Sequence, residues 1–249
     1  MPSTPSPRSC LSILLALLLL LPALLPFSAR AAAPNTSPVI GSEVVFGAYP
    51  QTAEGTDATP ITWLVLDKTE DQVLLISRDG LDAQPYHADY AQTTWENCTL
   101  RAWLNNDFLH TAFTMREQQA IALTHVSNAP NQGFRAWATV GGRDTEDFIF
   151  LLSYAEARAY LGVAHDDQPN LHACVHPTNY AQAQGAATDS FYETADGTAA
   201  GWWWLRSPGF SQAFAAYVFS DGTLSYTLVQ DGSGTVRPAL WVKFDAGIF

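Results

Sequence analysis

Residues 202–209 read Trp202-Trp203-Trp204-Leu205-Arg206-Ser207-Pro208-Gly209, and a second arginine-proline segment, Val236-Arg237-Pro238-Ala239-Leu240-Trp241, follows later in the chain. An indole needs a large apolar pocket and a partner for its N–H group. An arginine keeps its charge and favours a planar, bidentate partner. Such residues are costly to place, so the two segments together predict the closing part of a specific fold. They do not by themselves indicate a reaction.

The tryptophan run has two interpretations. In an extended segment the side chains alternate between faces, so Trp203 points away from Trp202 and Trp204. One face belongs to the core. The other face either offers a stacking platform for a sugar ring or an aromatic partner, or is itself buried between a strand and a loop. The predicted ligand-binding surface comprises Trp202, Trp204, Phe210, Tyr217 and Tyr226.

Five further side chains are assigned structural roles: Cys98, Cys174, Trp203, Arg206 and Arg237. The two arginines are flanked by apolar residues, and a buried charge without a partner is prohibitive. We expect Arg206 and Arg237 to form buried pairs with acids such as Asp147 or Glu43. Anion recognition is the alternative role for these arginines.

The first 31 residues have the pattern of a secretory signal peptide. Arg8 precedes a leucine-rich apolar run over residues 11–27, and Ala29 and Ala31 are the small residues typical of a cleavage site. An uncleaved anchor is the alternative, although the run is at the lower limit for crossing a bilayer. We predict a signal peptide over residues 1–31, a disordered leader over 32–41 and one domain over 42–249. The protein is expected to be secreted or in the cell envelope, without stable membrane insertion.

The predicted mature chain is strongly acidic. Loss of Arg8 and Arg30 leaves 10 of the 12 Lys and Arg residues against 24 Asp and Glu, a net charge of −14. This charge opposes binding to nucleic acids and to anionic lipids. We therefore expect no nucleic-acid partner.

Two cysteines, Cys98 and Cys174, remain after the predicted cleavage. An exported chain with an even number of cysteines permits a disulfide. Two separate buried thiols are the equally weighted alternative, because nothing in the sequence shows that the two sites meet.

The apolar pattern predicts an α+β fold with segregated elements rather than alternating β-α units. Residues 60–67 and 72–77 are expected to form a hairpin that is buried on both faces. Capping boxes that begin at Thr114 and Ser153 open two helices, the second ending at Gly162. The other expected elements are a strand at 43–49, a helix from Thr99, a loop at 127–147, a strand at 148–152, a helix at 178–184, and strands at 201–206, 213–220, 223–230 and 235–244, with a tight turn at Asp221-Gly222.

No specific catalytic constellation is present in the sequence. It contains no Gly-x-Ser-x-Gly elbow, P-loop or dinucleotide fingerprint, and no histidine pair has zinc-finger or metalloprotease spacing. The segment 172–176 (HACVH) could hold a soft metal and the acidic run 144–147 could hold calcium, but a surface loop and a solvated turn are the favoured interpretations. We predict no catalytic residues, no metal site and no cofactor.

Motifs along nearly all of the predicted mature chain resemble those of an uncharacterised bacterial family, the domain-of-unknown-function family 6273. The matching segments are 45–51 (VFGAYPQ), 61–66 (ITWLVL), 95–105 (WENCTLRAWLN), 150–153 (FLLS), 203–209 (WWLRSPG) and 236–240 (VRPAL). The family has no established activity to carry over. The resemblance therefore identifies a relationship and leaves the function open.

The order of elements is also similar to that of the C-type-lectin-like fold, which serves formylglycine-generating enzymes and the variable proteins of diversity-generating retroelements. This similarity implies short helices packed on a twisted, mainly antiparallel sheet with a C-terminal strand meander. The copper-binding cysteine pair of the formylglycine-generating enzymes is not evident, and the lectin calcium motifs Glu-Pro-Asn and Trp-Asn-Asp are absent. Fold alone does not settle function.

Three hypotheses about function follow from these observations. The leading one is an exported, non-catalytic recognition module that presents its loops and the 210–235 meander to a glycan or protein at the cell surface. The second is an enzyme acting on cell-wall or glycan substrates, with Asp144 and Asp221 as an acid/base pair. The third is a structural extracellular domain without a concave aromatic pocket.

Overall fold

Four antiparallel strands form a sheet that brings together distant parts of the sequence. The computed structural model describes residues 38–131, 133, 137–164, 168–244 and 247. The strands of this sheet are β1 (Glu43–Tyr49), β2 (Thr59–Lys68), β3 (Gln72–Ser77) and β13 (Ala239–Lys243), in the order β1-β2-β3-β13. On its other side, β13 forms single bridges to Ile121 and Phe150. The last strand is therefore enclosed on both sides.

A second sheet of five strands contains the tryptophan run. Its strands, in spatial order, are β11 (Leu224–Leu228), β10 (Phe214–Val218), β9 (Trp203–Pro208), β12 (Thr235–Val236) and β4 (Asp82–Ala83). The pairing of β12 with β9 is parallel, and the other pairings are antiparallel. Two small ladders complete the strands: β5 (Thr124–Val126) with β6 (Thr145–Asp147), and β7 (Asp189–Glu193) with β8 (Ala199–Ala200).

The helices are short and lie between the strands in sequence. They are a 3₁₀ turn (Trp95–Asn97), α1 (Thr99–Trp103), a π-helical turn (Leu104–Phe108), α2 (Leu109–Ala112), α3 (Met115–Ala120), α4 (Tyr154–Leu161) and α5 (Asn179–Ala183). The predicted helix from Thr99 is thus continuous through Ala112, with one wider turn in its middle. The architecture is α+β and consists mostly of sheet.

Local sequence signals predicted several elements correctly. The hairpin of β2 and β3 forms where alternation placed it. Both capping boxes are present, at Thr114 and at Ser153, and Gly162 ends α4 in the left-handed conformation with φ of 70°. The turn at Asp221-Gly222 joins β10 to β11, with Gly222 at φ of 84°.

The strands β4, β5, β7 and β8 were not predicted, and three other segments differ from the prediction because a long-range contact decides their structure. Residues 145–147, expected as loop, form β6 against β5. Residues 148–152, expected as a strand, make one bridge, from Phe150 to Ala239. The strand expected over 235–244 is interrupted at Arg237-Pro238, where the chain leaves the five-stranded sheet at β12 and enters the four-stranded sheet at β13.

One continuous core links the two sheets and the helices. Trp63 on β2 is fully buried, and its indole donates a hydrogen bond to the carbonyl oxygen of Phe46 at 2.6 Å. The helices in the described part of the chain are too short and polar to cross a membrane. The predicted signal peptide and residues 32–37 of the predicted leader lie outside the described residues.

Candidate functional site

The tryptophan run is buried on both faces of β9. Trp203 and Trp204 have no exposed surface, and Trp202 retains 9%. The indole of Trp203 donates to the carbonyl oxygen of Ala173 at 2.9 Å, and that of Trp204 donates to the carbonyl oxygen of Gln84 at 3.0 Å. These bonds satisfy the polar edge of each ring. The run therefore locks the sheet in place and offers little surface to a ligand.

The five predicted ligand-binding residues separate into two groups on opposite faces of the second sheet. Tyr217 packs on Trp202 with ring centroids 4.7 Å apart, and it also contacts Trp204 at 6.4 Å. Tyr226 lies opposite Ala216, the neighbour of Tyr217 on β10, so the two tyrosines point to opposite faces. The first group is largely internal, and we leave it out of the candidate site.

The second group is an aromatic cluster at the surface, formed by Trp137, Phe210, Phe214 and Tyr226. Phe210 lies at its centre, with ring centroids 5.0 Å from Tyr226, 5.4 Å from Trp137 and 4.0 Å from Phe214. Trp137 is 37% exposed, and the other three rings are half-buried. The aromatic cluster therefore presents ring surface to solvent while its members hold one another in place.

A polar cavity of about 230 Å³ lies beside the aromatic cluster. Residues 127–130 line one wall, and 206–208 line another. Asn131 joins the two walls by donating from Nδ2 to the carbonyl oxygens of Pro208, at 3.1 Å, and Gly209, at 2.7 Å. Phe210 follows directly, so the cavity and the aromatic cluster share one stretch of chain. We call this cavity the Glu156 cavity.

Arg206 forms the buried base of the Glu156 cavity. Its side chain is 4% exposed and pairs with Glu156. Nη1 donates to Glu156 and to the carbonyl oxygen of Leu151, Nη2 donates to Glu156 and Ser127, and Nε donates to Ser127. A guanidinium has five N–H groups, and all five have acceptors. Arg206 is therefore a structural residue with no donor left for an anion.

Glu156 has two tasks at the start of α4. Its Oε2 accepts hydrogen bonds from the backbone N–H of Ser153 at 2.7 Å and from the Ser153 hydroxyl at 3.0 Å, which completes the capping box. Burial raises the pKa of Glu156, but hydrogen bonds and charge from Arg206 outweigh burial, and the net shift is downward. Glu156 is therefore held as a carboxylate. It suits the acceptance of hydrogen bonds better than the donation of a proton.

Asn128 also lines the Glu156 cavity, with its side-chain oxygen below the accessible surface. The residue is 7% exposed, and its Nδ2 donates to the carbonyl oxygen of Arg143 at 2.8 Å. Its Oδ1 is buried and has no hydrogen-bond partner among the described residues. A buried acceptor without a partner is costly, and such exceptions call for an explanation.

The two cysteines are separate, buried free thiols. Burial raises the pKa of the Cys98 thiol to about 12 and that of Cys174 to about 11. Cys98 also caps α1 by accepting from the backbone N–H of Arg101 at 3.4 Å. The alternative of two buried thiols therefore describes this structure.

The acids expected to pair with Arg206 and Arg237 have other partners. Asp147 accepts from Arg101 Nε at 2.6 Å and from the Trp95 indole at 2.8 Å. Glu43 lies 3.3 Å from Arg78. Arg206 therefore has the acidic partner that was expected, but this partner is Glu156, because the sequence does not show which acid approaches which base across the fold. Arg237 makes no ion pair with any described residue.

The residues considered for metal binding or acid/base chemistry do not converge. Asp144 and Glu146 flank His125, at 3.4 and 2.9 Å, and Asp221 accepts from Thr223 in the β10–β11 turn. Within the described residues, no group of three or more His, Cys, Asp or Glu side chains is placed to hold a metal ion. Asp144 immediately precedes β6, whereas Asp221 lies in the turn between β10 and β11.

Sequence reasoning missed Asn128, Trp137 and the second role of Glu156. The capping box identified Glu156 as the residue that closes the first turn of α4, but nothing local to it indicates Arg206. Asn128 and Trp137 lie in a segment expected to be loop, with no periodic pattern to mark them. The polar and aromatic character of this loop was the signal in the sequence that could have marked it as part of a binding site.

Comparison with known proteins places the chain by family rather than by activity. No curated protein and no solved structure matches it. A family model described as "Domain of unknown function (DUF6273)" matches residues 70–244, which is more than half of the chain. The match includes β3, all the helices and the whole second sheet.

Proposed function

We propose a function for this chain, which belongs to the DUF6273 family: it is an exported recognition module that binds a glycan without catalysis. The observation that carries the proposal is the Glu156 cavity, lined by Asn128 and by a partly exposed carboxylate, beside exposed aromatic rings. We further propose that the domain has a C-type-lectin-like fold. The signal-like pattern of residues 1–31 supports export.

The polar groups of the Glu156 cavity favour a ligand rich in hydroxyls. Glu156 offers a carboxylate that is partly exposed, and Asn128 lines the same cavity with an unpaired Oδ1 that lies below the accessible surface. Arg206 has no unpaired donor, so a carboxylate or phosphate would find no charged partner there. A ligand that donates hydrogen bonds therefore fits better than one that accepts them. Sugars meet this requirement with several hydroxyls on one ring.

The aromatic cluster supplies the apolar half of the site. Binding sites combine apolar and aromatic surface with a few placed polar groups. Trp137 is the most exposed ring of the cluster, and its contacts with Phe210 and Tyr226 fix its position. A sugar ring stacked on this surface would place its edge towards the Glu156 cavity. Tyr226 and Phe210, both predicted from the sequence as ligand-binding residues, keep that role in the proposal.

The test is a glycan array probed with the purified domain, followed by calorimetric titration of any glycan bound. We expect Trp137→Ala and Phe210→Ala each to weaken binding by about tenfold or more, as for central aromatic contacts elsewhere. Asn128→Asp, which retains the acceptor but adds a negative charge, should reduce binding less than Asn128→Ala does.

Phe191→Ala is the matched control, since Phe191 is 91% exposed and does not line the Glu156 cavity. It should leave glycan binding unchanged. Circular dichroism of each variant separates loss of binding from loss of folding. Absence of any glycan ligand, or equal loss in the Phe191 and Trp137 variants, would refute the proposal.

A further inference from the structure

We propose that a second cavity, around Arg237, binds the carboxylate group of a small monoanionic ligand. The cavity has a volume of about 350 Å³ and none of its lining residues lines the Glu156 cavity. It lies where the chain crosses from the five-stranded to the four-stranded sheet. Arg237 forms its base, with Arg78, Asp79, Cys174 and His176 in its walls. We call it the Arg237 cavity.

Arg237 is buried with most of its hydrogen-bonding capacity unused. The residue is 3% exposed, and its Nε donates to the carbonyl oxygen of Ser77 at 2.9 Å. Its guanidinium carbon lies 5.0 Å from the centre of the Trp203 ring. Nη1 is buried without a partner, and Nη2 makes no hydrogen bond to a described residue. Of five N–H groups, four therefore lack an acceptor there.

Arg206, a buried arginine with a structural role only, provides a comparison for Arg237. Every N–H group of Arg206 is bonded, and its charge is balanced by Glu156. Arg237 lies in the field of the Asp79 carboxyl but forms no ion pair or hydrogen bond with it, and a buried charge without a close partner is strongly unfavourable. The difference between the two arginines indicates that a partner of Arg237 comes from outside the chain. The fork of a guanidinium matches a carboxylate, which accepts two parallel hydrogen bonds.

The other charges around the cavity set the charge of the ligand. Arg78 is already engaged, with Glu43 at 3.3 Å and Asp196 at 2.6 Å. Asp79 faces the cavity, where burial raises its pKa against the opposing effects of Arg78, His176 and Arg237. Three carboxyl groups near the cavity therefore disfavour a second negative charge. A monoanion fits this environment better than a phosphate dianion.

Two further side chains of the wall direct a donor to the backbone. His176 Nδ1 is 2.8 Å from the carbonyl oxygen of Ala199, so this nitrogen carries a proton that it donates to that carbonyl. The Cys174 thiol donates to the carbonyl oxygen of Ser220 at 3.1 Å. Because Nη1 lies below the accessible surface, we expect binding to displace the cavity wall slightly.

The test is an NMR titration of the ¹⁵N-labelled protein with acetate, at constant ionic strength maintained with chloride. The Nε–H signal of Arg237 is assigned through its contact with the Trp203 ring and by its loss in Arg237→Lys. We expect a saturable shift of this signal with acetate and none with chloride. Acetate should also raise the Tm of the wild-type protein, because a ligand that binds only the folded state stabilises it.

Three variants sharpen the test. Asp79→Asn removes a nearby negative charge and should tighten acetate binding severalfold. Arg237→Lys should abolish the acetate-dependent rise in Tm. Arg143→Lys is the matched control, because the Arg143 side chain is 87% exposed, pairs with Glu96 and lies outside the cavity; its response to acetate should equal that of the wild type.

The proposal fails if acetate acts like chloride on both the wild-type protein and Asp79→Asn. Phosphate binding as tight as that of acetate would overturn the assignment of a monoanion. If Arg237→Lys does not fold, the acetate titrations of the wild-type protein and of Asp79→Asn still test the proposal. Because the two cavities share no lining residue, failure here leaves glycan binding at the Glu156 cavity untouched, and the reverse also holds.

Discussion

Replacing Glu156 by glutamine tests whether its pairing with Arg206 stabilises the fold. Glutamine preserves the capping box, since either residue serves at that position, but it removes the charge that balances Arg206. The Arg206 side chain is 4% exposed and that of Glu156 is 34% exposed. Breaking a buried pair by removing one partner costs about 3–5 kcal/mol. We expect a loss of about 3 kcal/mol, at the lower end, because Glu156 is partly solvated.

A second capping box in the same chain provides the control. Glu117 accepts from the backbone N–H of Thr114 at 2.8 Å, as Glu156 does from that of Ser153, but it has no buried arginine beside it among the described ion pairs. Glu117→Gln should therefore lower the free energy of unfolding by less than about 1 kcal/mol. Urea unfolding followed by tryptophan fluorescence measures both changes through the midpoint at constant m value.

The pH dependence of the same variant gives an independent check. Because the pKa of Glu156 is lowered in the folded state, its charge stabilises the fold at pH values above the unfolded pKa, about 4.3. That contribution is lost as the pH falls through the lower, folded pKa. The difference between wild type and Glu156→Gln should therefore be largest near neutral pH and shrink in acid. Equal losses of unfolding free energy in Glu156→Gln and Glu117→Gln would refute this account. So would a difference between wild type and Glu156→Gln that does not change with pH.

Three further predictions concern the fold. Gly222→Ala should lower the free energy of unfolding by more than about 2 kcal/mol, because the residue has φ of 84° and a Cβ would lie 2.0 Å from the carbonyl oxygen of Asn170. Gly197→Ala, at φ of 79° with open space around it, should lower it by about 1 kcal/mol. Equal losses in urea unfolding would contradict the clash at Gly222. Cys98 and Cys174 should resist iodoacetamide at pH 8 in the native protein and react in urea, and a mass two hydrogens lower before reduction would instead reveal a disulfide. Trp63→Phe should cost about 2–4 kcal/mol, since it leaves a cavity and removes the hydrogen bond from the indole to the Phe46 carbonyl oxygen. Trp241→Phe at a half-buried position should cost clearly less.

The elements that were predictable from sequence depend on residues close together in the chain. The β2–β3 hairpin follows from alternation around a short turn, and the helices at Thr114 and Ser153 follow from capping boxes of four residues each. In each case the residues that decide the structure lie within one short segment.

The elements that escaped prediction depend on residues far apart. Arg206 was expected to find an acid, but its partner lies 50 positions away in a residue already assigned to a cap. Likewise, β6 forms only by pairing with β5 across the intervening loop. The strand is interrupted at Arg237-Pro238 because the chain passes there from the five-stranded to the four-stranded sheet. The candidate site was predictable for Phe210 and Tyr226, whose aromatic character is visible, and not for Asn128, whose role rests on a missing contact.

The enclosed position of β13 has a consequence for how the protein folds. This strand pairs with β3 more than 160 residues earlier in the sequence and also bridges to Ile121 and Phe150. Pairings of such long range slow folding, because loop closure must precede the contacts that reward it. During synthesis the four-stranded sheet cannot be completed before Lys243 is available. Until then one edge of β3 has no partner strand, and we expect this sheet to be completed late, once β13 is available.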